Sequence, residues 1–291
     1  MQHLPHPPHI PLEKVSPLYG GHRAMLSLNI IIVGAGLGGL AATHTLAQAG
    51  HRITLLESAS AISDVGAGIQ VSPNATRLLH HWGLGQALAA VAVEPTAVVF
   101  RRYDTGSRVG YTHWGTRMVE DHGSPYYHIH RGDYHAMLLR LVRAAPGVRI
   151  RINAAVRDVQ PDPTLQGGPS VTLASGEVLY ADVIIGADGV KSTLQKAVTG
   201  LDDAPIPTGD AAYRAIIRTD SMLQDPELRQ LVETPETTAW MAPRRHMIAY
   251  NIVSVISFFP KRQGVLGASR CEKSDMDLIF CSARRKSSTW Y

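Results

Sequence analysis

The sequence predicts an α/β fold whose strands come from distant parts of the chain, and three observations carry that prediction. An apolar, β-branched strand pattern at Leu28–Val33 runs into Gly34-Ala-Gly36-Leu-Gly38-Gly39 and then into a helical pattern ending at Gly50. A second strand pattern, Arg52–Leu56, follows at once and closes a βαβ unit. Much later, Asp182–Ile185 reads as another strand of the same kind, and the segments between and beyond carry hairpin signals rather than further βαβ units. The expectation is a Rossmann-type domain with an interleaved, mostly antiparallel sheet.

The elements follow in order. Residues 1–27 are rich in Pro and His, show no apolar periodicity and are expected to be a disordered extension. In the glycine-rich turn, Gly34 permits a tight bend, Gly36 lets the backbone approach a pyrophosphate, and Gly39 allows a helix to pack closely on a strand. The helix start presents free N–H groups and partial positive charge to phosphate. Glu57, at the end of the second strand, is placed to accept hydrogen bonds from a ribose hydroxyl. Four glycines in six positions carry a conformational entropy cost that a bare turn does not require.

Ser72-Pro73 reads as an N-cap followed by proline in the first turn, opening a helix through Leu78, Leu79 and Trp82. Val98–Tyr103 and Arg108–Thr112 flank the turn signal Asp104-Thr-Gly106-Ser. Asp133 is a candidate cap for a helix carrying Met137, Leu138, Leu141 and Val142. Val148–Ile152 and Val156–Val159 read as strands, and Val171–Leu173 with Val178–Tyr180 as a hairpin about Ser175-Gly176. Ser192–Val198 reads as a short helix. Ala211–Ile217, Thr238–Met241 and Met247–Ile252 read as strands of a separate sheet. The expected division is an extension at 1–27, a dinucleotide domain at 28–200 with an inserted hairpin at 97–112, a partial second domain at 201–252, and a divergent or aberrant tail at 253–291.

Composition narrows the function. With 45% hydrophobic and 18% charged residues, a sizeable core can be buried. The two cysteines, Cys271 and Cys281, imply no disulfide framework and fit a reducing compartment. Prolines interrupt the first twenty-odd residues, so no secretory h-region is present. Leu28–Leu40 falls short of the ~20 residues a membrane span needs. A cytoplasmic protein without a membrane span is expected. The net charge of +4 sits in residues 253–291, which hold seven Lys/Arg and three Asp/Glu; the remainder is balanced, so the pI of 9.1 points to no nucleic-acid-binding face. No GxSxG, Walker A or HExxH string occurs. His3, His6 and His9 sit among prolines, and His128, His130 and His135 have no fourth ligand placed, so no metal site is expected.

Beyond the glycine turn, three more motifs stand in order: Asp64-Val-Gly66-Ala-Gly68-Ile, then Arg131 at a strand end, then Gly186-Ala-Asp188-Gly189. At these residues, from Leu28 to about Ile252, the chain resembles the group A flavoprotein monooxygenases of the salicylate-hydroxylase type. The resemblance implies a Rossmann-type FAD-binding domain with an interleaved substrate sheet. It implies that Gly34, Gly36 and Gly39 hold the FAD pyrophosphate and Glu57 the adenosine ribose. Gly66 and Gly68 would lie against the flavin and Arg131 would contact the cofactor. Asp188 and Gly189 would lie near its pyrophosphate and take part in NAD(P)H use. Arg214 and Tyr250 match positions that line the substrate pocket in related enzymes: Arg214 would steady a carboxylate or phenolate, Tyr250 would stack on or hydrogen-bond an aromatic ring. Ordinary sheet packing is the competing reading of both.

The activity so implied is hydroxylation of a small aromatic or related compound with FAD, NAD(P)H and O₂. The flavin supplies the reaction, and the protein supplies orientation and exclusion of water. No second GxGxxG occurs, in keeping with NAD(P)H as a transient co-substrate. Two readings stand beside it: a non-catalytic FAD-binding fragment, and an NAD-dependent dehydrogenase in which Glu57 holds a nicotinamide dinucleotide. The family continues well past Tyr291, with a Gly-Asp motif and a long helix; Gly209-Asp210 is not that motif, because Pro205-Ile-Pro207 precedes it and a strand follows. The chain is therefore expected to be truncated at its C-terminus, with family sequence ending at Asn251 or Ile252. Val253-Ser254 is also what a retained splice donor would encode. Substrate identity, the choice of NADH or NADPH and the oligomeric state are not legible in the sequence.

Overall fold

The computed structural model describes residues 23–62, 67–162, 164, 167–201, 205–207 and 209–253, and the backbone of 276–285. In chain order the strands are β1 (Asn29–Val33), β2 (Arg52–Leu56), β3 (Gly68–Val71), β4 (Ala92–Val93), β5 (Ala97–Arg102), β6 (Arg108–His113), β7 (Tyr127–His130), β8 (Val148–Arg151), β9 (Val156–Gln160), β10 (Ser170–Leu173), β11 (Val178–Tyr180), β12 (Val183–Gly186), β13 (Asp210–Arg218), β14 (Glu236–Ala242), β15 (Arg245–Val253) and β16 (Met276–Arg285). The helices are α1 (Leu37–Gln48), α2 (Pro73–His81), α3 (Gly85–Val91), α4 (Thr116–His122), α5 (Arg131–Ala144), α6 (Gln195–Thr199), α7 (Thr219–Gln224) and α8 (Pro226–Glu233). The described residues form two compact units, one lying within 23–64 and 134–207, the other within 65–133 and 209–285.

The first unit holds a four-stranded parallel sheet in the order β12-β1-β2-β8. β1 is apolar on both faces, and Ile30, Ile31, Ile32 and Val33 are all buried, as a covered parallel strand requires. The register is flush at the carboxyl ends: Val33 pairs with Leu56 on one side and with Gly186 on the other. The glycine turn, Glu57 and the Ala187-Asp188 loop therefore leave the sheet from one edge. The strand order reverses at β1, the place where open α/β sheets bind ligands. α1 buries Gly39, Leu40, Thr43, His44 and Ala47, one face of a helix, and Gly50 ends it at φ +98°. β9, β10 and β11 form an antiparallel sheet whose Val171 and Leu173 share a core with Ile31, Val33 and Leu56.

The second unit holds a six-stranded sheet ordered β13-β16-β15-β14-β5-β6 and a three-stranded one ordered β3-β7-β4. The hairpin β5–β6 joins the larger sheet through a parallel pairing of β5 with β14. Residues 65–133, read from sequence with the dinucleotide domain, thus group with 209–285. β16 falls in the segment read as a tail without a core element; its backbone pairs antiparallel with both β13 and β15.

Two local expectations change. α5 begins at Arg131, so Asp133 lies in its first turn and is not its cap; a carboxylate there still complements the helix N-terminus. α3, α4, α7 and α8 were not read from sequence. α8 had a legible signal, since the Asp225 side chain accepts hydrogen bonds from the amides of Glu227 and Leu228 with Pro226 in the first turn. The expected extension falls, for residues 1–22, outside the described residues.

Candidate functional site

Each unit brings together part of the set of residues picked out by sequence. In the first, the glycines of the turn separate into two kinds. A Cβ on Gly34, which sits at φ +100°, would stand 2.4 Å from the carbonyl oxygen of Ala187. One on Gly39 would stand 1.8 Å from the carbonyl oxygen of Gly34. Both residues are demanded by the fold: Gly34 by the turn and the neighbouring loop, Gly39 by the approach of α1 to the turn. Gly36 is different. Its backbone is extended (φ −72°, ψ −177°), which any residue adopts, and a Cβ there would meet nothing within 4 Å. The twelve-residue helix α1 that follows has no side-chain hydrogen bond at its N-cap and no acidic residue in its first turn. First-turn amides with no side-chain cap, behind an open glycine, suit an anionic group brought from outside.

Two side chains grip this turn. Glu57 Oε2 accepts the Ala35 amide at 2.9 Å, and Oε1 accepts the Ala59 amide at 2.8 Å and the Ser58 hydroxyl at 3.1 Å. Burial raises the Glu57 carboxyl, but those donors outweigh it and hold the group below its ordinary value. His135, buried on α5, places Nε2 2.8 Å from the Ala35 carbonyl oxygen. Asp188 is spent on its own loop: Oδ1 accepts the Ser192 hydroxyl at 2.7 Å, and Oδ2 accepts the amides of Thr193 at 2.7 Å and Leu194 at 3.3 Å. Gly189, next in line, has φ +80°.

In the second unit, Gly68 opens β3 and pairs with His130 of β7, and the Arg131 amide donates to the Ala67 carbonyl at 3.1 Å. The Gly-Ala-Gly segment and Arg131 are thus joined; Gly66 itself lies outside the described residues. Tyr250 and Ile252 are buried against Ala67. The Tyr250 ring lies 4.8 Å from that of His128. His128 bonds the Thr237 hydroxyl at 2.9 Å, and burial drives its ring down from 6.5 to about 3, the Asn251 carbonyl acting in the opposite direction. Arg214 and Ile248 are paired with the same residue of β16, Cys281, so Arg214 shares a sheet face with Ile248 and Tyr250, with β16 between them. Arg214 is exposed and Tyr250 is buried. His128, Thr237 and His135 were missed by sequence reasoning, which took these histidines as packing or surface. Among the described residues there is no group of three or more His, Cys, Asp or Glu placed to hold a metal ion, and no helix long and apolar enough to cross a membrane.

A flush parallel sheet, a glycine turn and an uncapped helix define a dinucleotide-binding protein of Rossmann type. The comparisons narrow this. The FAD binding domain family matches residues 27–267, past Ile252, where the sequence reading ends the resemblance. The chain belongs to that family, the FAD-binding class A flavin monooxygenases. It is 38% identical over 229 residues to the FAD-dependent monooxygenase OpS4 of Beauveria bassiana, covering 77% of this chain and 52% of that one. It is 36% identical over 223 residues to the 3-amino-4-hydroxybenzoate 2-monooxygenase PtmB3 of Streptomyces platensis, covering 77% and 53%. The 3-hydroxybenzoate 6-hydroxylase of Klebsiella oxytoca is 30% identical over 87% of this chain and 62% of its own length. The chain spans about half the length of the first two. Among solved structures, Klebsiella pneumoniae HpxO with FAD and uric acid has the same fold, with TM-score 0.67 and 19% identity over 88% of this chain and 56% of that one.

Proposed function

We propose that this chain is the FAD-binding part of a monooxygenase that hydroxylates a small aromatic compound with NAD(P)H and O₂. One observation carries the reading: the glycine turn leaves Gly36 open and the start of α1 without a side-chain cap, at the carboxyl edge where the sheet order reverses. Gly34, Gly36 and Gly39 would receive the FAD pyrophosphate, and Glu57, already ionised and oriented by backbone amides, the adenosine ribose. Gly66, Gly68 and Arg131 would add contacts to the cofactor. Asp188 and Gly189 would serve the same end by fixing the loop that backs Gly34. When bound, FAD supplies the redox chemistry with NAD(P)H and O₂. The chain's own residues bind, orient and exclude water.

For substrate, the relatives' names support a hydroxybenzoate-like compound. Arg214 offers a guanidinium for its carboxylate and Tyr250 a ring edge or hydroxyl for its ring. The test is uptake of FAD in preference to NAD by the purified chain, followed by substrate-dependent NAD(P)H oxidation over a panel of hydroxybenzoates, with product identified. A chain that takes up no FAD, or prefers NAD, ends this reading. FAD uptake without product from any aromatic compound leaves the non-catalytic FAD-binding reading in its place.

A further inference from the structure

A trans peptide holds its C=O and the following N–H in one plane, pointing in opposite directions. Anchoring either group therefore aims the other. Ala35 lies between two such planes, and each is anchored by a different side chain. Glu57 accepts the Ala35 N–H at 2.9 Å, which fixes the plane shared by Gly34 and Ala35. That plane's carbonyl is the one that stands against Gly39. His135 Nε2 lies 2.8 Å from the Ala35 oxygen, which fixes the plane shared by Ala35 and Gly36. Because a carbonyl can only accept, His135 is the donor and Nε2 carries the proton. The Gly36 N–H then points away from His135, and the Cβ position of Gly36 is open space.

We infer that His135 is a positioning residue for the dinucleotide: by holding the Ala35 carbonyl it aims the Gly36 amide at the diphosphate. The inference rests on the FAD reading above. The chemistry needs only a fixed donor at that point, and the imidazole Nε2–H supplies one. It also frees the turn from relying on the ligand to orient its own amide, so less order is lost on binding.

The probes are FAD and ADP, which carry the diphosphate, and adenosine, which does not. His135→Phe keeps a ring and loses the donor. It should weaken FAD and ADP alike by about tenfold, the size of one lost hydrogen bond to a charged group, and leave adenosine binding close to wild type; the ligand-free chain should melt somewhat lower, because the Ala35 oxygen loses its buried donor. His135→Gln restores a donor and should regain most of the affinity. Wild-type affinity for FAD and ADP in His135→Phe overturns the inference, as does an equal loss of adenosine. Should that variant not fold, the native chain decides. Its Gly36 amide resonance, followed with ¹⁵N-glycine labelling, should move on addition of ADP, and an unmoved resonance overturns the inference. A native chain that binds neither FAD nor ADP defeats the dinucleotide reading itself, a separate result from a native chain that binds both while His135→Phe is unaffected.

Discussion

His128 and Tyr250 meet ring to ring at 4.8 Å although 122 residues separate them, and the histidine has no exposed surface. This contact ties β7 to β15 beside the Ala67–Gly68 segment. It also makes the fold sensitive to acid. The His128 ring titrates near 6.5 when unfolded and about 3 when buried, so the unfolded chain binds the extra proton first. Its contribution to stability is full above pH 6.5 and is lost as pH falls towards 3. His44, also buried and lowered to about 4, acts in the same direction.

Between pH 7 and pH 5, His128 alone should remove about 2 kcal/mol of unfolding free energy. Denaturant titrations at the two pH values check this. His128→Gln stays neutral across the range and should lose correspondingly less. Equal losses in both proteins would show that the ring is not held neutral by burial.

Glu57 has two duties that one substitution can separate. Glu57→Ala removes the acceptor for the Ala35 and Ala59 amides, so the ligand-free chain should melt lower. FAD affinity should fall by ~1.5–3 kcal/mol, the scale of a charged hydrogen bond. Isothermal titration with FAD beside a melt of the free chain reads both. Because the carboxyl is held below its ordinary value, its contribution is present above about pH 4.5 and is lost in more acid solution. Lower melting with unchanged FAD affinity would confine Glu57 to the turn.

Asp188 is expected to matter first for its loop. Its two oxygens hold the Ser192 hydroxyl and the amides of Thr193 and Leu194, and the residue before it backs Gly34. Asp188→Ala should lower unfolding free energy by about 1–2 kcal/mol, as loss of a capping carboxylate does. Hydrogen exchange should rise at Thr193 and Leu194. Unchanged protection at those amides would return Asp188 to a direct role at the cofactor.

Much of this was legible in the sequence because it is local. Gly34, Gly36, Gly39 and Glu57 lie within one βαβ unit, where a strand pattern, a turn and a helix pattern specify each other. The hairpins turn at Gly106 and Gly176, both at positive φ where the sequence placed the bends. What stayed hidden depends on pairings between distant segments. Nothing in residues 97–113 says that β5 will pair with β14, and nothing at His135 says that its ring will reach Ala35. Arg214 and Tyr250 were chosen as one pair, yet their strands are separated by β16, in a segment that carried no strand pattern strong enough to be read.

The glycine turn offers the sharpest division between what the fold needs and what the ligand needs. Gly39→Ala would drive a methyl group onto the Gly34 carbonyl at 1.8 Å, and neither the turn nor α1 can give way without breaking the flush edge of the sheet. That substitution should cost about 3 kcal/mol or more in the ligand-free chain. Gly34→Ala should cost as much, since a side chain at φ +100° is strained before it meets Ala187 at 2.4 Å. Gly36→Ala meets no atom within 4 Å and keeps an ordinary extended backbone, so the free chain should change by about 0.5 kcal/mol at most. Its methyl group would instead occupy the space into which the diphosphate is proposed to come, and FAD affinity should fall at least about tenfold. Urea unfolding of the three free variants, set beside their FAD titrations, decides the matter. If Gly36→Ala binds FAD as tightly as the native chain, the open side of the turn is not where the cofactor approaches. If it is instead as unstable as Gly39→Ala, then Gly36 too is held by the fold, and the openness on which the proposed function rests has been misjudged.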